Sequence, residues 1–200
     1  MNSDKKLVIV LVRHGETIYN IEKRLQSPKD ALTERGKEQM QALANTLGQY
    51  TFTRCITSDE TRALESAEIL RDAVQKTFEV KNLIREKSSG DFSDKLVSEV
   101  DWSTVHGTFL DKKMPNGESV LDVVRRALEF LKILNNFEQG ETVLVVSHGT
   151  FIRVLLALMF NQSIEDYLLH HEYPNASESV LSRTPDGKWH LEKSALERKG

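Results

Sequence analysis

Two short runs of aliphatic residues constrain the fold more than any other feature of this 200-residue chain. They are Leu7–Val12 (LVIVLV) and Thr142–Val146 (TVLVV), and neither alternates apolar with polar side chains as a half-exposed strand does. Continuous apolar runs of this length are typical of strands buried on both faces of a parallel sheet. We therefore expect a sheet that is covered on both sides.

Segments with helical spacing of apolar residues alternate with the predicted strands. Helices are predicted from a cap at Thr33 to about Leu47, with Gly48 as the stop, and over Glu60–Val74, Gly117–Asn135 and Phe151–Phe160. Further strands are predicted at Arg54–Thr57 and in a hairpin formed by Val180–Arg183 and Lys188–Glu192. This alternation predicts an α/β fold, a three-layer sandwich whose mostly parallel central sheet is flanked by helices.

The length and the absence of a linker or repeat predict one domain over residues 1–200. The least regular stretch is Lys87–Asn116, which is polar and rich in Ser, Asp and Lys. We expect it to form a lid or an inserted helical segment.

Charge and cysteine content exclude several classes of protein. With 27 basic and 30 acidic residues the net charge is −3, which gives no general attraction to nucleic acid or to an anionic membrane. The single cysteine, Cys55, excludes an intrachain disulfide and fits a reducing, cytoplasmic location. Leu7–Val12 is far shorter than the roughly 20 residues of a membrane span, and it lacks a signal-peptide cleavage site. A homodimer is the commonest assembly of soluble proteins that associate, and it stays open for this chain.

Three polar segments each lie just past a predicted strand, where ligands bind in open parallel sheets. They are Arg13–Thr17, Ser58–Arg62 and Ser147–Thr150. If the strands are neighbours, two histidines and two arginines meet at one edge of the sheet. Each also has a structural interpretation: His148 as a core histidine, for example, and Arg62 as a solvated helix residue.

In chain order, six segments resemble the motifs of the histidine phosphatase superfamily, which has the phosphoglycerate mutase-like fold. They are LVRHGETIYN with Asn20, Ala31–Gly36, Ser58–Ala63, Ile84-Arg85-Glu86, Pro115–Ser119 and Val145–Gly149. The resemblance runs from about Leu7 to Arg153. It departs after the acidic segment, where Gly90–Lys95 keeps a glycine and an aromatic residue and loses the rest of the family pattern.

The resemblance implies that Arg13 and Arg62 hold the oxygens of a phosphoryl group, for which their forked guanidinium groups are suited. It implies that His14 is the nucleophile and forms a phosphohistidine. For this the attacking nitrogen must be neutral, with the other ring N–H held by the carbonyl of Gly15.

The remaining roles also come from the resemblance. His148 is expected to donate to the phosphoryl oxygens, with Asn20 and Gly149 as further phosphate-binding residues. Glu86 is expected to protonate the leaving alkoxide and then to take a proton from water. No metal or cofactor is implied. Two histidines and a glutamate can be interpreted as a metal site, but two flanking arginines oppose a cation.

The resemblance leaves more than one activity open. The favoured one is a metal-independent phosphomonoesterase acting on a small phosphorylated metabolite. A cofactor-dependent phosphoglycerate mutase is the alternative, disfavoured because Glu86 is followed by Lys87-Ser88-Ser89-Gly90 and the chain is short. A phosphoprotein phosphatase and a non-catalytic phospho-ligand-binding module stay open as well.

Overall fold

The protein is described by a computed structural model over residues 5–199, so residues 1–4 and 200 of the predicted domain lie outside the described residues. The strands are β1 (Leu7–Arg13), β2 (Arg54–Thr57), β3 (Phe78–Val80), β4 (Thr142–Ser147), β5 (His171–Glu172), β6 (Glu178–Arg183), β7 (Trp189–Lys193) and β8 (Glu197–Arg198). The α-helices are α1 (Ile18–Glu22), α2 (Glu34–Leu47), α3 (Thr61–Val74), α4 (Val120–Asn135), α5 (Gly149–Met159) and α6 (Ile164–His170). Within the described residues, no helix is both long and apolar enough to cross a membrane.

Six strands form one sheet in the order β3-β2-β4-β1-β6-β7. The strands β3, β2, β4 and β1 are parallel, and β6 and β7 add an antiparallel hairpin on the far side of β1. The two apolar runs are therefore adjacent, with Val8–Arg13 paired to Thr142–Ser147. The mostly parallel sheet predicted from the sequence is confirmed.

Helices cover both faces of the sheet and produce the predicted three layers. Leu7, Ile9 and Leu11 of β1 pack into a core that includes residues of α4 and α5. Val10 and Val12 point to the opposite face and pack against α2 and α3. Both faces of β1 are thus buried, because its side chains alternate between the two layers.

Local capping explains where the helices begin. The side chain of Thr33 accepts a hydrogen bond from the amide of Gly36 at 2.9 Å, which starts α2. The predicted start of α4 at Gly117 is wrong by three residues, because Ser119 and Asp122 form a capping box that starts the helix at Val120. Glu60 occupies the N-cap of α3, but its side chain makes no cap hydrogen bond.

The segment Lys87–Asn116 contains single 3-10 turns at Gly90–Phe92, Val97–Glu99 and Trp102–Thr104, and it contains no α-helix. Its two ends are joined by hydrogen bonds from the amide of Asp91 to Pro115 and from the amide of Glu118 to Ser88, both at 2.9 Å. The expected inserted helical segment is therefore present only as these short 3-10 turns, and a role as a lid stays a prediction. The polar composition without apolar periodicity favours this irregular path.

Candidate active site

The site lies at the carboxyl ends of β1, β2 and β4, which are neighbours in the sheet. His14 follows β1, Arg62 lies in the first turn of the helix after β2, and His148 follows β4. The rings of His14 and His148 are 5.2 Å apart between centroids. The structure thus brings together the residues that the strand-end pattern placed at one edge.

His14 is fully buried and is held in one tautomer by its contacts. Its Nδ1 lies 2.7 Å from the carbonyl oxygen of Gly15, so Nδ1 carries the proton and donates. Its Nε2 accepts a hydrogen bond from Nε of Arg62 at 3.2 Å. Burial, together with the charges of Arg62 and Arg13, holds the pKa of His14 well below its usual value. The imidazole is therefore neutral, with a lone pair on Nε2.

Arg62 is buried and uses all of its guanidinium nitrogens. Besides the bond from Nε to His14, Nη1 donates to the carbonyl of Ser27 at 2.9 Å. Nη2 donates to Oε2 of Glu60 at 2.5 Å. Arg62 is therefore a buried member of the site and not the solvated helix residue of the structural interpretation.

His148 is fully buried, and neither ring nitrogen has a hydrogen-bond partner within residues 5–199. Oε2 of Glu60 lies 3.2 Å from its Nε2, but the two groups are not aligned as a hydrogen bond. Burial, followed by the charge of Arg62, holds the pKa of His148 well below its usual value. A core histidine would bond to the backbone, whereas both ring nitrogens of His148 are buried without such a bond in the described part of the chain.

Arg13 is the last residue of β1, and one nitrogen of its guanidinium group is hydrogen-bonded to the backbone. Nη1 donates to the carbonyl of Tyr173 at 2.6 Å, while Nε is buried without a partner in the described part of the chain. Burial lowers the pKa of Arg13 to about 10, although the charge of Glu86 opposes this. A Cβ atom at Gly149 would lie 3.4 Å from Nε of Arg13, so glycine at the start of α5 leaves space for the guanidinium.

Glu86 is half-buried and has both carboxylate oxygens occupied by backbone donors. Oε1 accepts from the amide of Lys87 at 2.8 Å, and Oε2 accepts from the amide of Thr150 at 3.1 Å. Burial acts to raise the pKa of Glu86, but these two N–H groups and the arginines outweigh it, so the pKa lies below its usual value. The free protein therefore holds Glu86 ionised near neutral pH.

The loop that carries Glu86 is held by a pair of residues that sequence reasoning did not assign to the site. Arg126 of α4 donates to the carbonyls of Leu83 at 2.7 Å and Arg85 at 3.1 Å. It also forms a two-pronged ion pair with Glu118, each contact being 2.8 Å. Arg126 lies within the helix predicted over Gly117–Asn135, and nothing in the sequence signalled this role.

Asn20 lies beside the site, with its amide oxygen engaged in the protein. Oδ1 accepts from the amide of Thr17 and from Nδ2 of Asn175, both at 3.1 Å. Asn175, which the sequence did not single out, also donates to the carbonyl of His14 at 3.1 Å and thereby supports the segment that follows β1. The phosphate-binding role of Asn20 stays a prediction.

Two cavities meet at Glu86. One of about 370 Å³ is lined by Glu60, Glu86, Lys87, Arg126 and others. The other, of about 330 Å³, is lined by Arg13, Glu86, Gly149, Thr150 and others. Each is within the size range of sites for small ligands. Within residues 5–199, no group of three or more His, Cys, Asp or Glu side chains is placed to hold a metal ion.

A family model, "Histidine phosphatase superfamily (branch 1)", matches residues 9–196. The chain belongs to this superfamily. It is 28% identical to a protein named "Probable phosphoglycerate mutase GpmB" from Erwinia tasmaniensis, over 96% of this chain and 98% of that protein. The superfamily that the sequence resemblance indicated is thus confirmed.

Solved structures of superfamily proteins have the same fold. Bacillus stearothermophilus YhfR is 26% identical with a TM-score of 0.83, over 94% of this chain and 96% of that one. A mycobacterial glucosyl-3-phosphoglycerate phosphatase, Rv2419c, solved with VO3, is 26% identical with a TM-score of 0.78, over 94% and 98%. The family therefore includes proteins described as phosphatases and as a probable mutase.

Proposed function

We propose that the protein is a metal-independent phosphomonoesterase that hydrolyses a small phosphorylated metabolite through a phosphohistidine on His14. The observation that carries this proposal is the hydrogen bond from Nδ1 of His14 to Gly15, which leaves Nε2 unprotonated beside Arg62. A neutral nitrogen next to fixed cationic donors suits attack on a phosphoryl group.

The first step forms a bond from Nε2 of His14 to phosphorus and breaks the bond from phosphorus to the leaving oxygen. Glu86, in its acid form, gives its proton to that oxygen. Since the free carboxylate has a lowered pKa, it takes up this proton when the negative phosphate arrives beside it. Arg13, Arg62 and His148 donate to the phosphoryl oxygens.

The second step hydrolyses the phosphohistidine. Water attacks phosphorus, Glu86 takes the proton of the water, and the bond from phosphorus to Nε2 breaks. The products are inorganic phosphate and neutral His14, and Glu86 releases its proton as the negative phosphate leaves, which returns the site to its starting state.

The test is hydrolysis of p-nitrophenyl phosphate in the presence of EDTA. Wild-type protein releases phosphate, and His14→Ala abolishes both turnover and acid-labile labelling of the chain. His190→Ala is the matched control, because His190 is exposed on β7 and should change neither. Activity that EDTA removes and a divalent ion restores would refute the metal-free mechanism.

A mutase is the second candidate, favoured by the similarity to the probable phosphoglycerate mutase over nearly the whole chain. Isomerisation of 3-phosphoglycerate that is stimulated by the bisphosphate would replace the phosphatase proposal. A panel of phosphorylated metabolites, with glucosyl-3-phosphoglycerate and a phosphopeptide included, would identify the substrate class. Phosphate binding without turnover of any of them would leave the non-catalytic module.

A further inference from the structure

Glu60 places a second carboxylate inside the phosphate pocket. Its side chain is buried, and the same oxygen, Oε2, contacts Nη2 of Arg62 at 2.5 Å and lies 3.2 Å from Nε2 of His148. Glu60 stands at the N-cap of α3 but does not cap that helix. Its side chain is therefore turned toward the pocket.

A phosphoryl group on His14 needs the donors that Glu60 contacts. The Nε group of Arg62 faces His14, and Nη1 is used by the carbonyl of Ser27. Nη2 is the nitrogen that a phosphoryl oxygen beside His14 would engage together with Nε. In addition, the ring nitrogens of His148 are buried without a hydrogen bond among the described residues, and the one that carries the proton is available to donate to a phosphoryl oxygen.

The charges around Glu60 make it unfavourable to bind a dianion beside an ionised Glu60, although Lys87 and Arg126 line the same cavity. Glu60 faces Arg62 of its own helix, Glu86 and Arg85 of the loop after β3, and the neutral His148. Arg85 is already paired with Asp59. A phosphate dianion would add two negative charges to Glu60 and Glu86, with Arg13 and Arg62 as the cations that face it.

We propose that Glu60 controls phosphate binding by competing for Arg62 and His148, so that binding of a phosphate-like dianion is coupled to uptake of a proton by Glu60. The inference rests on the proposed function only in taking this pocket as the phosphate site. Burial raises the pKa of Glu60, which Arg62 only partly offsets, and this makes the proton easier to accept.

The experiment is calorimetric titration with sulfate, which stays a dianion at neutral pH, in two buffers of different ionisation enthalpy. The buffers report the protons taken up per sulfate bound, and no turnover is needed. Wild-type protein is compared with Glu60→Gln, which removes the charge, and with Glu60→Leu, which also frees Nη2 of Arg62. Glu86→Gln is the matched control, because it removes the same charge from the same pocket without freeing an arginine donor.

On binding sulfate, the wild type should take up about one proton more than Glu60→Gln. As the pH rises through neutrality, the affinity of the wild type for sulfate should therefore fall about tenfold more per pH unit than that of Glu60→Gln. Glu60→Leu should bind sulfate at least as tightly as Glu60→Gln. Glu86→Gln should lose only the proton that Glu86 itself takes up and should keep the proton taken up by Glu60. If the wild type and both Glu60 variants bind sulfate with equal affinity and equal proton uptake, the role proposed for Glu60 is overturned, while the phosphate pocket is not. Sulfate binding to none of the proteins would overturn the phosphate pocket as well.

Discussion

Replacing Arg126 by methionine should impair both the stability of the protein and the chemistry assigned to Glu86. Arg126 reaches from α4 to the loop that carries Glu86, and its side chain is only 18% exposed. Methionine keeps most of the aliphatic length but removes all the donors. The carbonyl groups to which Arg126 donates are those of Leu83, Arg85 and Glu86 itself.

The magnitude follows from the contacts that are lost. The bonds to the carbonyls of Leu83 and Arg85 have good lengths, and the ion pair leaves Glu118 without its cation. Hydrogen bonds from a charged donor contribute about 1.5–3 kcal/mol each, and the exposed fraction of Arg126 lowers this, so we expect a loss of about 3 kcal/mol. A shift of Glu86 by about 1 Å would reduce kcat/KM by roughly 100-fold.

The neighbouring arginine provides the control. The side chain of Arg125 is 70% exposed and pairs with Asp122, so Arg125→Met should cost at most about 0.5 kcal/mol. Urea denaturation measures stability, and hydrolysis of phenyl phosphate, whose leaving group needs protonation, measures the chemistry. If Arg126→Met matches Arg125→Met in both assays, Arg126 does not position the Glu86 loop.

Two further predictions concern the buried histidines His14 and His148 and the close contact of Gly36 with Glu16. Because His14 and His148 have folded pKa values well below 6.5, the unfolded chain binds protons that the folded chain excludes. The free energy of unfolding should therefore fall below about pH 6.5, by up to about 1.4 kcal/mol per pH unit for each histidine. Urea denaturation across pH should show this slope disappearing in the His14→Gln/His148→Gln double variant; an unchanged slope would assign it to other groups. Gly36→Ala would place a Cβ 2.1 Å from the carbonyl oxygen of Glu16, so thermal unfolding should show a loss of more than about 2 kcal/mol. Gly48→Ala, whose Cβ meets nothing closer than 3.7 Å, should be neutral, and equal effects of the two would contradict the steric argument.

The sheet and its helices could be predicted because their signals are local. The apolar runs of β1 and β4 can be buried on both faces only in a covered sheet, and Thr33 and Gly48 mark the ends of α2 through their own backbone and side-chain chemistry. The short strand β3 was missed because it is stabilised by a neighbour distant in sequence, and α6 was missed because it is a short helix that follows α5 after a few residues, although Ser163 caps it locally. Phe78–Val80 form a strand because they pair with β2 in the sheet.

Within the site, sequence could predict which residues meet but not which atoms are already engaged. The strand-end pattern placed His14, His148 and Arg62 together because parallel strands end at one edge. The same pattern could not show that Oδ1 of Asn20 accepts from Thr17 and Asn175. These partners follow from the three-dimensional course of the chain.

Glu60 shows most clearly what the sequence could not predict, because its position in the sequence favours a solvated side chain. A glutamate two residues before an arginine at a helix start is ordinarily solvated, and the two side chains do not share a helix face. Here the extended backbone at the N-cap, with φ −79° and ψ 141°, turns the carboxylate toward Arg62 and His148. The positive potential expected from Arg62 is therefore already matched by a buried negative charge. The affinity of this pocket for phosphate thus depends on the protonation of Glu60 as well as on the number of cationic side chains that surround it.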